Sequence, residues 1–129
     1  MKVAMICTAL LGLLVFGLGL GVSALRGSRN TNIGHERDPA DPLHKMVRAH
    51  GNATEYAPML SILMLAIATR GCTTWMVWTF VAATLFRYLH AAGMLLSPTL
   101  DRPQPLRFVG ALGTYLAGLA LVVAAVIVA

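Results

Sequence analysis

The chain has 129 residues, 57% of them hydrophobic and 12% charged, with a mean hydropathy of +0.73. Soluble domains are about 45–50% apolar and about 25% charged, so this composition excludes a disordered or fibrous chain and argues against a water-soluble one. Ten Lys and Arg against five Asp and Glu would suggest nucleic acid in a soluble protein. In so apolar a chain, orientation in a bilayer and binding of an anion are the better readings, and no nucleic-acid partner is expected. The length allows one domain over residues 1–129. Spans of about 20 residues each predict an all-α, integral membrane four-helix bundle with one substantial loop.

The first span is predicted over residues 3–25, an uncharged run between Lys2 and Arg26. Val22-Ser23-Ala24 resembles a small-residue cleavage site, but the run is longer than a usual signal-peptide core and its loss would leave three spans. Gly12, Gly17, Gly19 and Gly21 suit close helix packing in lipid. From Arg26 to Leu43 the chain is polar and broken by Gly27, Gly34, Pro39 and Pro42. There Asp41-Pro42 reads as an N-cap followed by proline at the first helical position.

The next two uncharged runs, 56–69 and 71–86, are too short to span. They become spans over 43–69 and 72–96 only by absorbing Arg48, Asn52 and Glu55 in the first case and Arg87 and His90 in the second. Arg70-Gly71 is the expected tight turn between them. A proline-rich loop runs from Ser97 to Pro105, and Arg107 opens a fourth span over 106–128.

Orientation follows from the cations. Arg26, Arg29, Arg37, Lys45 and Arg48 flank or occupy the first long loop, with Arg102 and Arg107 at the second; the opposite side has Lys2 and Arg70. Both long loops are therefore expected in the cytoplasm and both termini across the membrane.

Charged groups at membrane depth cost roughly 2.5–3.5 kcal/mol each on insertion scales, so they normally face the bundle interior and serve a function. At 100° per residue, Arg48, Asn52 and Glu55 fall within about 60° of one another, with Met59 continuing the stripe. Thr84, Arg87, His90 and Met94 form a second stripe. With Arg26 and Arg107, every helix is expected to bring a cation to one leaflet. Four arginines against one glutamate ask for a ligand with several negative charges and a donor. The competing reading pairs Glu55 with Arg48 or Arg87 to fix helix register, and leaves Arg26 and Arg107 as snorkelling anchors. Pro58 deprives the Thr54 carbonyl of its usual donor, either opening a polar pocket beside Glu55 or standing as a tolerated membrane proline. Cys7 and Cys72 read as buried small hydrophobes, and no Cys/His spacing supports a metal. Trp75, Trp78 and Tyr88 read as interface or packing aromatics.

Residues 48–58, Arg-Ala-His-Gly-Asn-Ala-Thr-Glu-Tyr-Ala-Pro, resemble the RAxxNxxExxxP signature of the MAPEG family, membrane-associated proteins of eicosanoid and glutathione metabolism. Arg87-Tyr88-Leu89-His90, the proline-rich loop and Arg107 are similar to the family's third helix and fourth-helix arginine, more loosely. The resemblance covers most of the chain and implies a homotrimer of four-helix subunits, as in bacterial members, in the bacterial inner membrane. It implies glutathione as co-substrate, bound between subunits near the cytoplasmic face. By position, Arg26, Arg48, Asn52, Glu55, Tyr56, Arg87 and His90 would bind glutathione, and Arg107 would be catalytic, stabilising its thiolate. Three positions depart from other members: Gly51 replaces an arginine, and Met94 and His90 stand where some members have tyrosine. The substrates of the eicosanoid synthases do not carry over.

The chemistry agrees. Glutathione has two carboxylates, an ammonium and a thiol; arginine forks suit the carboxylates, and Glu55 can accept from the ammonium. A thiol of pKa about 8.5 is only about 3% ionised at pH 7, and a neighbouring cation that lowers it to about 6 makes about 90% thiolate. The expected function is a glutathione transferase, with peroxidase activity beside it, acting on hydrophobic electrophiles or lipids from the bilayer. The alternative is a non-catalytic lipid- or partner-binding protein of the same fold. A small multidrug exporter would need an acidic residue in the first helix, which has none.

Overall fold

The computed structural model describes residues 1–35 and 37–129. It has four helices: α1 (Lys2–Ser28), α2 (Pro42–Arg70), α3 (Thr74–Leu96) and α4 (Pro105–Val128). The boundaries follow local chemistry. Asp41 caps α2, its carboxylate accepting from the His44 amide at 2.8 Å, with Pro42 opening the helix. Such a cap is worth about 1 kcal/mol. Burial alone pushes the Asp41 carboxyl up, but the His44 amide and the Arg29 guanidinium outweigh it and hold its pKa below the usual carboxylate range. Gly71 ends α2 at φ 116°, a left-handed conformation that favours glycine. Gln104 caps α4 through its side-chain oxygen, 2.6 Å from the Arg107 amide.

α1, α3 and α4 are long and apolar enough to cross a membrane. α2 is not among them, although its 29 residues would reach about 44 Å. Its loop-side half carries the polar residues that the sequence had to absorb. Pro58 sits within α2 without ending it.

Helices do not attract one another hydrophobically in lipid, so close packing of small residues must hold them together. That packing is concentrated between α3 and α4. A Cβ on Gly93 would lie 2.8 Å from the Arg107 Cα, and one on Gly110 or Gly113 would run into His90 backbone or the Phe86 ring. Against α2, Gly19 of α1 receives the His50 ring and Gly21 receives Met46. Gly12 and Gly17, also expected to pack closely, have nothing within 4 Å of a Cβ position.

Two apolar clusters fill the interior. One, nearer the short turn, contains Leu11, Leu60, Met64, Phe80 and Leu121; the other contains Leu14, Leu18, Ala49, Ala91 and Met94. The first includes Cys7, and both cysteines are free. Tyr88 ties α3 to α1, its hydroxyl donating to the Leu10 carbonyl at 2.8 Å, a packing role as expected. Trp75 and Trp78 lie exposed near the short turn, as do many aliphatic side chains along the outer surface.

The two long loops share one end of the bundle. The Leu100 amide donates to the Pro39 carbonyl at 3.0 Å, and Lys45 Nζ donates to the Ser97 carbonyl at 3.0 Å. At the other end Arg70 Nη1 reaches the Ala129 carbonyl at 3.4 Å.

Candidate functional site

Between the two apolar clusters lies a polar layer. Arg87, only 1% exposed, extends from α3 to α2. Its Nη2 donates to the Asn52 backbone carbonyl at 3.2 Å and to Asn52 Oδ1 at 2.5 Å. The guanidinium lies 4.9 Å from the centre of the Tyr56 ring, a cation–π distance. The Tyr56 hydroxyl donates to that of Tyr115 on α4 at 3.2 Å, their rings 5.8 Å apart. Three helices are thus joined through Asn52, Tyr56, Arg87 and Tyr115. The periodicity of α3 predicted this burial correctly: Thr84, Arg87, His90 and Met94 all face inward.

Tyr115 was missed because its span reads as uniformly apolar. The available signal was a phenol in mid-span, where a hydroxyl needs a partner.

The α2 stripe behaves differently. Asn52 is half-buried, but Arg48, Glu55 and Met59 are exposed on the outer face of the subunit. A helix stripe defines a direction around its own axis, and the sequence could not say which neighbour occupies that direction. The expected inward convergence of both stripes is therefore corrected for α2. Neither proposed pair, Glu55–Arg48 or Glu55–Arg87, forms; among the described residues the ion pair is Arg29–Asp41, at 2.6 Å.

His90 and Arg107 meet at the loop end of the α3–α4 pair. Gly93 and Gly110 let the backbones approach, and His90 Nδ1 lies 2.8 Å from the Arg107 carbonyl. A carbonyl only accepts, so Nδ1 carries the proton and Nε2 is the acceptor of the neutral ring. The Arg107 guanidinium is held by the loop that precedes it. Its Nη1 donates to the Leu100 carbonyl at 2.9 Å and its Nη2 to the Arg102 carbonyl at 3.1 Å. His90, Asp101, Pro103, Gln104, Arg107 and Phe108 line a cleft of about 590 Å³ there. Arg26 lies apart from both groups, in a groove between α1 and α2. The four cations do not converge within one subunit.

The chain matches the profile of the MAPEG family over residues 4–127. It belongs to the MAPEG family. No curated protein and no solved structure matches the chain. Within this MAPEG chain, the helix-two motif therefore splits in two. Asn52 and Tyr56 engage Arg87 within the subunit, while Arg48 and Glu55 project from it. Among the described residues no group of His, Cys, Asp or Glu is placed to hold a metal.

Proposed function

We propose that this MAPEG protein is a membrane-embedded glutathione transferase with accompanying peroxidase activity, working as a homotrimer in the bacterial inner membrane. The observation that carries the reading is the outward pair Arg48 and Glu55, set beside the buried Asn52–Arg87 contact. Facing lipid, each charge would cost roughly 2.5–3.5 kcal/mol at membrane depth. A second copy of the subunit and a polar ligand between the copies remove that cost. Glutathione supplies the complementary groups: carboxylates for Arg48, an ammonium for Glu55 and amides for Asn52 and Tyr56. Arg87 acts from behind, its hydrogen bonds orienting Asn52 and its face steadying Tyr56.

The reaction then needs no protein nucleophile. Arg107 stabilises the thiolate at the α3–α4 end, with His90 beside it. The thiolate sulfur attacks the electrophilic carbon, a C–S bond forms, and the leaving group departs with the bonding electron pair. The electrophile enters from the bilayer. The engagement of Arg107 with loop carbonyls favours the second reading, a non-catalytic lipid- or partner-binding protein. Glutathione-dependent turnover of a generic electrophile by the purified protein separates the two, and its absence alongside intact folding leaves the second.

Glu55→Gln should weaken glutathione binding about 10- to 150-fold, the loss of one charge-assisted hydrogen bond, while oligomer size stays unchanged. Binding by calorimetry and mass by light scattering check this. A variant that binds normally, or that falls apart into monomers, removes Glu55 from the ligand site.

The basic end of the bundle, with both long loops, is assigned to the cytoplasm on the asymmetry of Lys and Arg. Reporter fusions at Asn30 and at Ala129 should report opposite sides, and a cytoplasmic signal from Ala129 overturns the assignment.

A further inference from the structure

Arg87 is a cation almost wholly removed from solvent, 1% exposed, and among the described residues no carboxylate pairs with it. Its Nη2 donates to the carbonyl and to the side-chain oxygen of Asn52, while Nε is buried without a partner. One edge of the guanidinium is therefore fastened, and its other support is the Tyr56 ring, 4.9 Å away. Where that ring lies decides where the guanidinium lies, and with it the side chain of Asn52.

Tyr56 is held in turn from α4. Its hydroxyl lies 3.2 Å from that of Tyr115, with the two rings tilted at 55° and 5.8 Å apart. A phenol can donate or accept, so the direction of this bond needs a physical reason. The Arg87 cation draws electron density from the Tyr56 ring and makes Tyr56 the better donor, so Tyr115 accepts. That hydrogen bond returns density to the Tyr56 ring, whose face then attracts the cation more strongly. The contacts reinforce one another along the chain Tyr115–Tyr56–Arg87–Asn52. All of them lie within one subunit, so they do not depend on what covers its outer surface. Tyr115 also follows Arg107 on α4 by two helical turns, about 12 Å along the axis, which keeps it away from the His90–Arg107 end.

We infer that Tyr115 is a positioning residue for glutathione binding. It fixes Tyr56, and through Tyr56 it fixes Arg87, so that Asn52 and Tyr56 are in place before the ligand arrives. The inference rests on the transferase reading for the identity of that ligand. A preformed site binds more tightly because no binding energy goes into ordering its side chains. Loss of the Tyr115 hydroxyl should therefore weaken binding and spare the thiol chemistry two turns away.

The test uses the full-length oligomer in detergent, with glutathione binding measured by calorimetry and turnover measured with a generic electrophile. Tyr115→Phe keeps the ring and removes the acceptor. It should raise the glutathione Kd and KM about 2- to 10-fold, the loss of one neutral hydrogen bond. The kcat at saturating glutathione should stay within about 2-fold of the wild type. The pH midpoint of the bound thiolate should not move. Tyr56→Phe should weaken binding at least as much, and the double variant no more than Tyr56→Phe alone, because Tyr115 acts through Tyr56. Normal glutathione binding by Tyr115→Phe, or a loss that adds in full to that of Tyr56→Phe, overturns the inference and leaves the transferase reading standing. So does a fall in kcat at unchanged KM, or dissociation of the oligomer, which mark a direct chemical role and a structural one. A wild-type protein that binds no glutathione overturns the transferase reading and the inference with it.

Discussion

Gly110→Val should prevent α3 and α4 from docking. A Cβ at Gly110 would run into the backbone of His90, and one at Gly93 would lie 2.8 Å from the Arg107 Cα, so the two helices are in contact backbone to backbone. A flexible side chain could yield, but a helix backbone moves only with its whole neighbourhood. Overpacking typically costs about 1–3 kcal/mol, and the absence of any yielding atom places this substitution at or above the top of that range. His90 and Arg107 would separate with the helices, so the hydrogen bond between them should go as well. Gly118 on the same helix is the matched control, because only Leu60 Cδ2 comes within 4 Å of its Cβ position, at 3.8 Å. Gly118→Ala should therefore be neutral or stabilising by about 0.4–1 kcal/mol, through reduced freedom of the unfolded chain. Thermal unfolding in detergent, followed by helical content, measures both. Equal melting of Gly110→Val and wild type would mean that the α3–α4 approach is looser than its geometry.

On the proposed transferase function, Arg107→Ala should lower glutathione-dependent turnover about 10- to 100-fold while changing glutathione affinity only several-fold, since that proposal gives the carboxylates to other groups. Lowering a thiol pKa from about 8.5 to about 6 corresponds to about 3.4 kcal/mol, within reach of a partly desolvated guanidinium. The thiolate absorbance of bound glutathione, titrated against pH, should move its midpoint upward in the variant. Arg107 also spans the Leu100 and Arg102 carbonyls, so its loss should free the α3–α4 loop. Arg107→Lys should restore only part of either property, because an ammonium lacks the fork that reaches two carbonyls at once. The two roles have separate readouts: thiol titration for the chemistry, and amide exchange at residues 100–102 for the loop. A loosened loop with an unchanged thiol titration makes Arg107 a clamp and nothing more.

Much of the architecture was legible in the sequence because it is a property of single helices. A bilayer fixes span length, and the spans expected over 3–25, 43–69, 72–96 and 106–128 differ by at most three residues at any end from the helices found. Asp41-Pro42 and Gly71 are local signals, decided within a few residues by hydrogen bonding and φ, and each marks the boundary it predicts. The inward face of α3 was legible too, since Thr84, Arg87, His90 and Met94 repeat at helical spacing in an otherwise lipid-compatible segment. The MAPEG resemblance rested on a motif with its own periodicity, and the family match spans residues 4–127.

Tertiary structure decided what those stripes touch. Periodicity shows that Arg48, Asn52 and Glu55 share a face, but not that this face points outward except at Asn52, which turns to Arg87. The Tyr56–Tyr115 bond joins residues 59 apart, and no local signal pairs them. Arg107 could be placed at the mouth of α4 from its prolines, yet its guanidinium went to the Leu100 and Arg102 carbonyls, whose positions depend on how the loop folds back. Depth and the family resemblance group Arg26 with the other arginines, and the structure sets it in a groove between α1 and α2. The division has one physical reason. Membrane depth and helical phase follow from the order of residues along one helix, whereas a contact between helices depends on their relative rotation and approach, set here by where Gly93 and Gly110 allow backbones to close and Gly113 admits the Phe86 ring.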